Sequence, residues 1–284
     1  MADAVQTLPN TKNELIVSLV QKELKEKTNL FPFIEDLSRF AVKGAKSVSV
    51  PRMSSFTAVS RTLGAAQDAV ALTDTKDTIT LDHFPYVAWI EDHADNYQST
   101  IDFRIEASLR AASAHARYID NQIIAIAKSV AGLSVNAAVP ADITKDDILD
   151  MREYIISENG NLDASVLVIA PDQEKAMLKI DSFTRADIYG TSNIPTGMIG
   201  RVYGVPVIIN NLVEASQAYL WEKSGIGFAF GQNTMMSEQN ANEYGSMSKR
   251  VAVDQALGVD GLQIAVGGAA AGKSPLVTKL FDGL

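Results

Sequence analysis

Apolar positions change their spacing along this chain, and the change separates one dominant helix from a set of short strands. Ile101, Ile105, Leu109, Ala112, Ala116, Ile119, Ile123, Ile126 and Val130 recur at steps of three and four. That spacing winds into a single apolar stripe on one helical face. Ser99 can cap the start, and Gly132 sits just past the end. About thirty residues at a rise of about 1.5 Å give a rod of about 45 Å, longer than most globular helices. Asp102, Glu106, Arg110, Arg117 and Asp120 fall off the stripe. A rod with one greasy side predicts a spine against which a sheet packs. A coiled-coil dimer is the rival, disfavoured by the Ala-rich seam and its single occurrence.

Upstream the period falls to two. Val48 and Val50 alternate with Ser47 and Ser49 before Pro51, and Ile79 and Leu81 alternate with Thr78, Thr80 and Asp82. These are strands with one apolar face. Ser54 to Lys76 between them is small and polar, which predicts a long hairpin; a disordered surface loop is the alternative. A hairpin alone is marginal in water, so a neighbouring surface must support it. At the N-terminus, Thr11-Lys12-Asn13-Glu14 has capping-box form ahead of Leu15, Ile16, Leu19 and Leu24. The mixed-sign run Lys22 to Lys27 reads as solvated, and Phe31, Phe33, Ile34, Leu37 and Phe40 cluster beside Pro32.

Beyond the spine, Thr144-Lys145-Asp146-Asp147 caps a helix carrying Ile148, Met151, Ile155 and Ile156 and ending near Gly160. Val166 to Ala170 is a β-branched run that reads as a buried strand. Pro171 stops it and starts a short helix to Ile180, with Asp172 and Glu174 at the positive end of the dipole. Gly197, Gly200 and Gly204 punctuate two more strand-like runs, the second carrying Val205, Val207, Ile208 and Ile209. Ala218 to Trp221 and Gly225 to Phe230 read as strands, Gln232 to Asn242 as a polar linker. Val251 and Val253 alternate after it, as do Leu262, Ile264 and Val266. The sum is an α+β chain with mostly antiparallel strands and a middle region forming its own subdomain.

Composition narrows the function classes. The 284 residues include no cysteine, which excludes disulfide frameworks, thiolate metal sites and thiol nucleophiles. A formal net charge of −9 argues against affinity for DNA built on phosphate neutralisation. It does not argue against a container that encloses nucleic acid without adhering to it, and a merely solubilising surface charge explains the number at least as well. The N-terminus lacks the form of a signal peptide, and no apolar run approaches membrane-spanning length.

Candidate chemistry is sparse. Gly267-Gly268-Ala269-Ala270-Ala271-Gly272-Lys273-Ser274 matches the phosphate-binding loop pattern. Such a loop needs a helix behind it, with its N-terminus facing the phosphates, and a separate strand carrying a magnesium-binding Asp. Pro275 follows at once and few residues remain, so a Gly/Ala-rich linker is preferred over a nucleotide-dependent enzyme. His83, His93 and His115 show no metal-binding spacing and read as interface or surface residues. Asp142, Asp146, Asp147 and Asp150 cap and coat a helix, with no general-acid partner. No nucleophile motif occurs. No catalytic, cofactor-binding or metal-binding residue is assigned.

The segment from Ser165 to Asn211 carries a resemblance. Its series IAPDQEKAML, IYG and GMIGRVYGVPVIINN resembles the major capsid proteins of tailed double-stranded DNA bacteriophages, of the Hong Kong 97 type. The resemblance implies an N-terminal arm over 1–45, an extended loop over 46–98, and a spine helix with peripheral domain over 99–142. An axial domain over 143–240 and a return to the peripheral domain over 241–284 would follow. It implies a non-enzymatic, cofactor-free coat protein that forms hexamers and pentamers of an icosahedral shell around double-stranded DNA. Assembly would occur in the host cytoplasm, and the protein would reside in the virion, away from membranes. Its partners would be itself, a portal, decoration proteins, and a separate scaffolding protein, since the arm begins near Met1. Some family members weld subunits through a lysine–asparagine isopeptide bond. Lys46 and Lys76 flank the loop here, but no Asn follows Asn242, so that weld is not expected. An encapsulin-type nanocompartment shell shares the fold and is the alternative.

Overall fold

The computed structural model describes residues 20, 29–42, 44–53, 60, 74–91, 103–135, 142–180, 198–241, 248–262 and 274–280. The expected arm helix (Val20 apart), most of the loop between Met53 and Asp74, the Tyr189-Gly190 loop and the Gly-rich run before Ser274 lie outside these residues.

The long helix is α1, Phe103–Val130. Ile119, Ile123, Ala127 and Val130 bury against Tyr219, Trp221, Phe228 and Val277 in the main core. The buried face is rotated from the expected stripe: Ile105 is exposed, whereas Ser108, His115 and Asp120 are buried. Ser108 tolerates burial because its hydroxyl donates to the Arg104 carbonyl of its own helix at 2.6 Å. Gly132 does not cap α1; it lies inside strand β5, Ala131–Ser134, which continues directly from the helix.

The described strands form three sheets, and the first two pack on this spine. The first has the order β1 (Glu35–Asp36), β10 (Ile226–Asn240), β11 (Lys249–Gly261), β4 (Tyr86–Glu91). The second runs β5, β12 (Ser274–Lys279), β9 (Ala218–Glu222), β6 (Ser165–Ile169), β8 (Val205–Ile209), β7 (Met198–Val202). The third is the hairpin of β2 (Ser47–Met53) and β3 (Asp74–Thr80). Most strand pairs are antiparallel; β1–β10, β5–β12 and β6–β8 are parallel.

Strand β6 explains its own continuous apolar run. Val166 and Val168 face the main core, while Leu167 and Ile169 face a second core with Met151 and Ile155. Both faces are covered, so alternation is lost. Helix α2, Lys145–Ser157, starts with a full capping box between Thr144 and Asp147. Helix α3, Glu174–Leu178, follows the turn at Pro171. Between β7 and β8 the turn Tyr203-Gly204 has φ of 49° and 88°, the left-handed pair that a two-residue hairpin requires and that glycine adopts freely.

One expected linker is a strand. Gln232 to Asn240 continues β10 and pairs with β11 up to Asn240–Lys249. Register shifts at Phe230/Gln232 and Gln232/Met235 break the period-two pattern there. Beyond them, among the described residues, β10 pairs only with β11, and polar Ser237, Glu238, Gln239 and Asn240 line it.

Candidate assembly surfaces

The β2–β3 hairpin pairs from Ser47–Thr80 at its root to Met53–Asp74. Val48 and Ile79 are buried on its inner face, while Ser47, Ser49, Lys76, Thr78 and Thr80 are exposed. The root rests in two small clusters, one of Leu37, Ile79 and Leu262, the other of Val48, Leu81 and Ala229. Neither belongs to the main core. Among the described residues no third strand joins this pair.

The sheet carrying β4 shows two unlike faces. Ala112 of α1 packs with Val253, Trp89 and Met236 on one. On the other, Tyr86 and Met235 flank Asp254 in register, and Ile90 lies four residues along β4 from Tyr86. Tyr86, Ile90 and Met235 are all exposed. These three exposed apolar side chains share the face with Asp254, which stands between Tyr86 and Met235.

An ion cluster clamps the first turns of α1 to this sheet. Arg104 pairs with Glu238 of β10, and its Nε lies 3.8 Å from Glu91 of β4. Trp89 Nε1 donates to Glu91 at 2.8 Å, and Lys249 of β11 approaches Glu238 at 3.5 Å. Arg104, Glu91 and Glu238 are largely shielded, which strengthens their pairing relative to a surface ion pair, whereas Lys249 is half exposed.

The incoming chain is held at two points. The Asp120 carboxylate accepts from the backbone N–H groups of Asn29 and Leu30 at 3.3 and 3.4 Å. Burial pushes Asp120 up to about 6, against the opposing pull of those two donors. Trp221, fully buried, donates its Nε1 hydrogen to the Phe33 carbonyl at 3.0 Å. Sequence patterns missed both contacts; a lone carboxylate on a helix that buries its neighbours was the available signal.

His83 and His115 have different neighbours. His83 Nδ1 lies 3.2 Å from the Tyr118 hydroxyl, and Nε2 lies 3.6 Å from Asp82. His115 is not a surface residue: it is 1% exposed, and burial lowers its pKa. Ala111, Ala112 and Ala116 beside it on α1 are buried as well. His93 lies outside the described residues. Among the described residues no group of three His, Cys, Asp or Glu could hold a metal.

Asp147 belongs to the capping box, and Asp142 sits 3.6 Å from Lys179. Of the phosphate-loop pattern, Ser274 opens β12 between β5 and β9. A strand stands where that motif needs a helix. Among the described residues no helix is long and apolar enough to cross a membrane.

A family model described as phage capsid protein matches residues 86–275, more than half of the 284-residue chain. The chain belongs to the phage capsid protein family. This capsid protein is similar in fold to a structure from Mycobacterium phage Che8, with TM-score 0.67 and 17% identity over 90% of this chain and 91% of that one. The capsid of the cyanophage P-SCSP1u matches with TM-score 0.65 and 13% identity, covering 89% and 87%. A virus-like particle from Pyrococcus furiosus matches with TM-score 0.62 and 12% identity, covering 95% and 99%. At such identities the likeness is one of fold, and it establishes the α+β capsid architecture. No curated protein matches the sequence.

Proposed function

We propose that this capsid protein is the major shell subunit of a tailed bacteriophage, forming hexamers and pentamers of an icosahedral head around double-stranded DNA. The carrying observation is the β2–β3 hairpin, which stands on small clusters outside the main core. Two strands with one polar face gain little from their own subunit. A neighbouring copy would supply the missing contact, and heterologous contacts that close on themselves give rings. The role is geometric, without catalytic turnover or a cofactor.

In this reading the chain divides into an arm over 1–45, an extended loop over 46–98, a spine and peripheral domain over 99–142, an axial domain over 143–240 and a peripheral return over 241–284. Partners are other copies, a separate scaffolding protein, a portal and decoration proteins. Assembly takes place in the host cytoplasm, and the mature protein resides in the virion.

A second reading, an encapsulin-type compartment, is favoured by one observation: the likeness to the Pyrococcus furiosus virus-like particle extends over 95% of this chain. Particles purified from cells expressing the protein with its candidate scaffold, portal and packaging motor separate the two. Shells that package nucleic acid through a portal-bearing vertex support the phage head. Shells loaded with a protein cargo and no nucleic acid support the compartment.

A further inference from the structure

The hairpin leaves the body over a floor made of the smallest side chains. In β10 the run Ile226-Gly227-Phe228-Ala229-Phe230-Gly231 alternates large with small. Ile226 and Phe228 lie in the main core, with Phe230 packed against it. The small residues meet the hairpin instead. A Cβ on Gly227 would stand 2.8 Å from Ile79 Cδ1, and one on Gly231 2.7 Å from Leu81 Cδ1. Ala229 clusters with Val48 and Leu81.

Strand β11 repeats the arrangement, with Leu257 and Val259 in the core and Gly258 between them. A Cβ on Gly258 would stand 2.1 Å from the Thr80 carbonyl oxygen. Gly231 faces one flexible side-chain end. Gly227 is crowded by two buried side chains, since its Cβ would also stand 3.0 Å from Cδ1 and Cδ2 of Leu262, and Gly258 faces backbone, which moves only if the strand moves. Three residues on, His83 and Leu257 exchange backbone hydrogen bonds of 3.1 and 2.9 Å, which fixes a pivot.

We propose that this seat, and Gly258 above all, sets the angle at which the hairpin leaves the subunit and so the curvature of the assembled shell. The second half rests on the self-assembly reading above. Restoring an ordinary C···O contact of about 3.3 Å would displace Thr80 by about 1 Å. At about 3.3 Å per residue, Thr80 lies about 10 Å from the pivot and Lys76 about 13 Å further. A rigid rotation therefore moves Lys76 by about 2 Å. Repeated around a ring, such an angle changes which shell closes.

The chain has no cysteine, so Lys76→Cys and Asn121→Cys give two unique spin-label positions, on hairpin and spine. In the unassembled protein, Gly258→Ala is expected to shift the mean label distance by about 2 Å, whereas Gly231→Ala leaves it in place. With scaffold, Gly258→Ala is expected to give shells of altered diameter or open sheets by electron microscopy. Should Gly258→Ala not fold, Gly227→Ala carries the test: crowded by both Ile79 and Leu262, it shifts the same distance, and adding Ile79→Val, which removes the nearest Cδ1, restores it in part. An unchanged distance in these variants overturns the seat. A shifted distance with shells of parental diameter overturns its link to curvature. Absence of particles from the parent sinks the self-assembly reading instead, while the label distance still judges the seat.

Discussion

Asp120 fastens Asn29 and Leu30 to the spine with a carboxylate almost out of reach of water. Its pKa is raised to about 6, so the folded chain holds this proton more tightly than the unfolded chain, where the carboxyl titrates near about 4. The destabilisation is complete above about pH 6 and fades as pH falls toward about 4; it is of the order of 3 kcal/mol. The two N–H groups use different carboxylate oxygens, so Asp120→Asn keeps an acceptor for one of them and turns an amide NH2 toward the other. Having no titrating carboxyl, it should flatten the pH dependence of the melting temperature of the unassembled subunit between about 4 and 6. A variant that melts lower with the slope intact refutes this cause. His115 acts with the opposite sign. Burial lowers its pKa, so stability is full above the unfolded value of about 6.5 and is lost as pH falls. The stability of His115→Leu relative to the parent should therefore grow between pH 7 and 5 in urea titrations. A constant difference contradicts it.

The spine and the strands that bury one face were legible because their period follows from which side meets the core. The capping box at Thr144 was legible too, being local, and Thr144→Ala should cost α2 about 1 kcal/mol in urea unfolding. A change within error would mean the cap bonds are replaced by water. The second half of β10 was hidden because bulges and a run of polar residues erase the alternation. The rotation of α1 was hidden because it depends on which strands lie beside each turn. The Arg104 clamp joins residues far apart in sequence, from Glu91 to Glu238, and no local window contains it. Arg104→Ala should loosen the first turns of α1 while Ile119 to Val130 stay anchored in the main core. Amide hydrogen exchange would then rise over 104–112 alone. Uniform exchange along α1 would show that the clamp adds nothing.

At the scale of the whole molecule, the main core joins α1 to both large sheets, and the hairpin stays outside it. Folding of the body and reach of the hairpin are thus separable. The capsid resemblance was readable from Ser165 to Asn211 because β6, its Pro-started helix and the β7–β8 turn are contiguous in sequence. The exposed row of Tyr86, Ile90 and Met235 was not, since three strands must first be aligned. The net charge of −9 predicts that unassembled subunits leave duplex DNA unshifted in gel electrophoresis at physiological salt; retardation there would contradict passive enclosure. Sedimentation velocity tests the central claim most directly, comparing the parent with a chain whose residues 49–78 are replaced by a short turn. The parent, with scaffold, should sediment as large closed particles, and the shortened chain as a folded small species. Equal sedimentation of the two as large particles would contradict hairpin-driven assembly, as would a parent that stays monomeric under every condition.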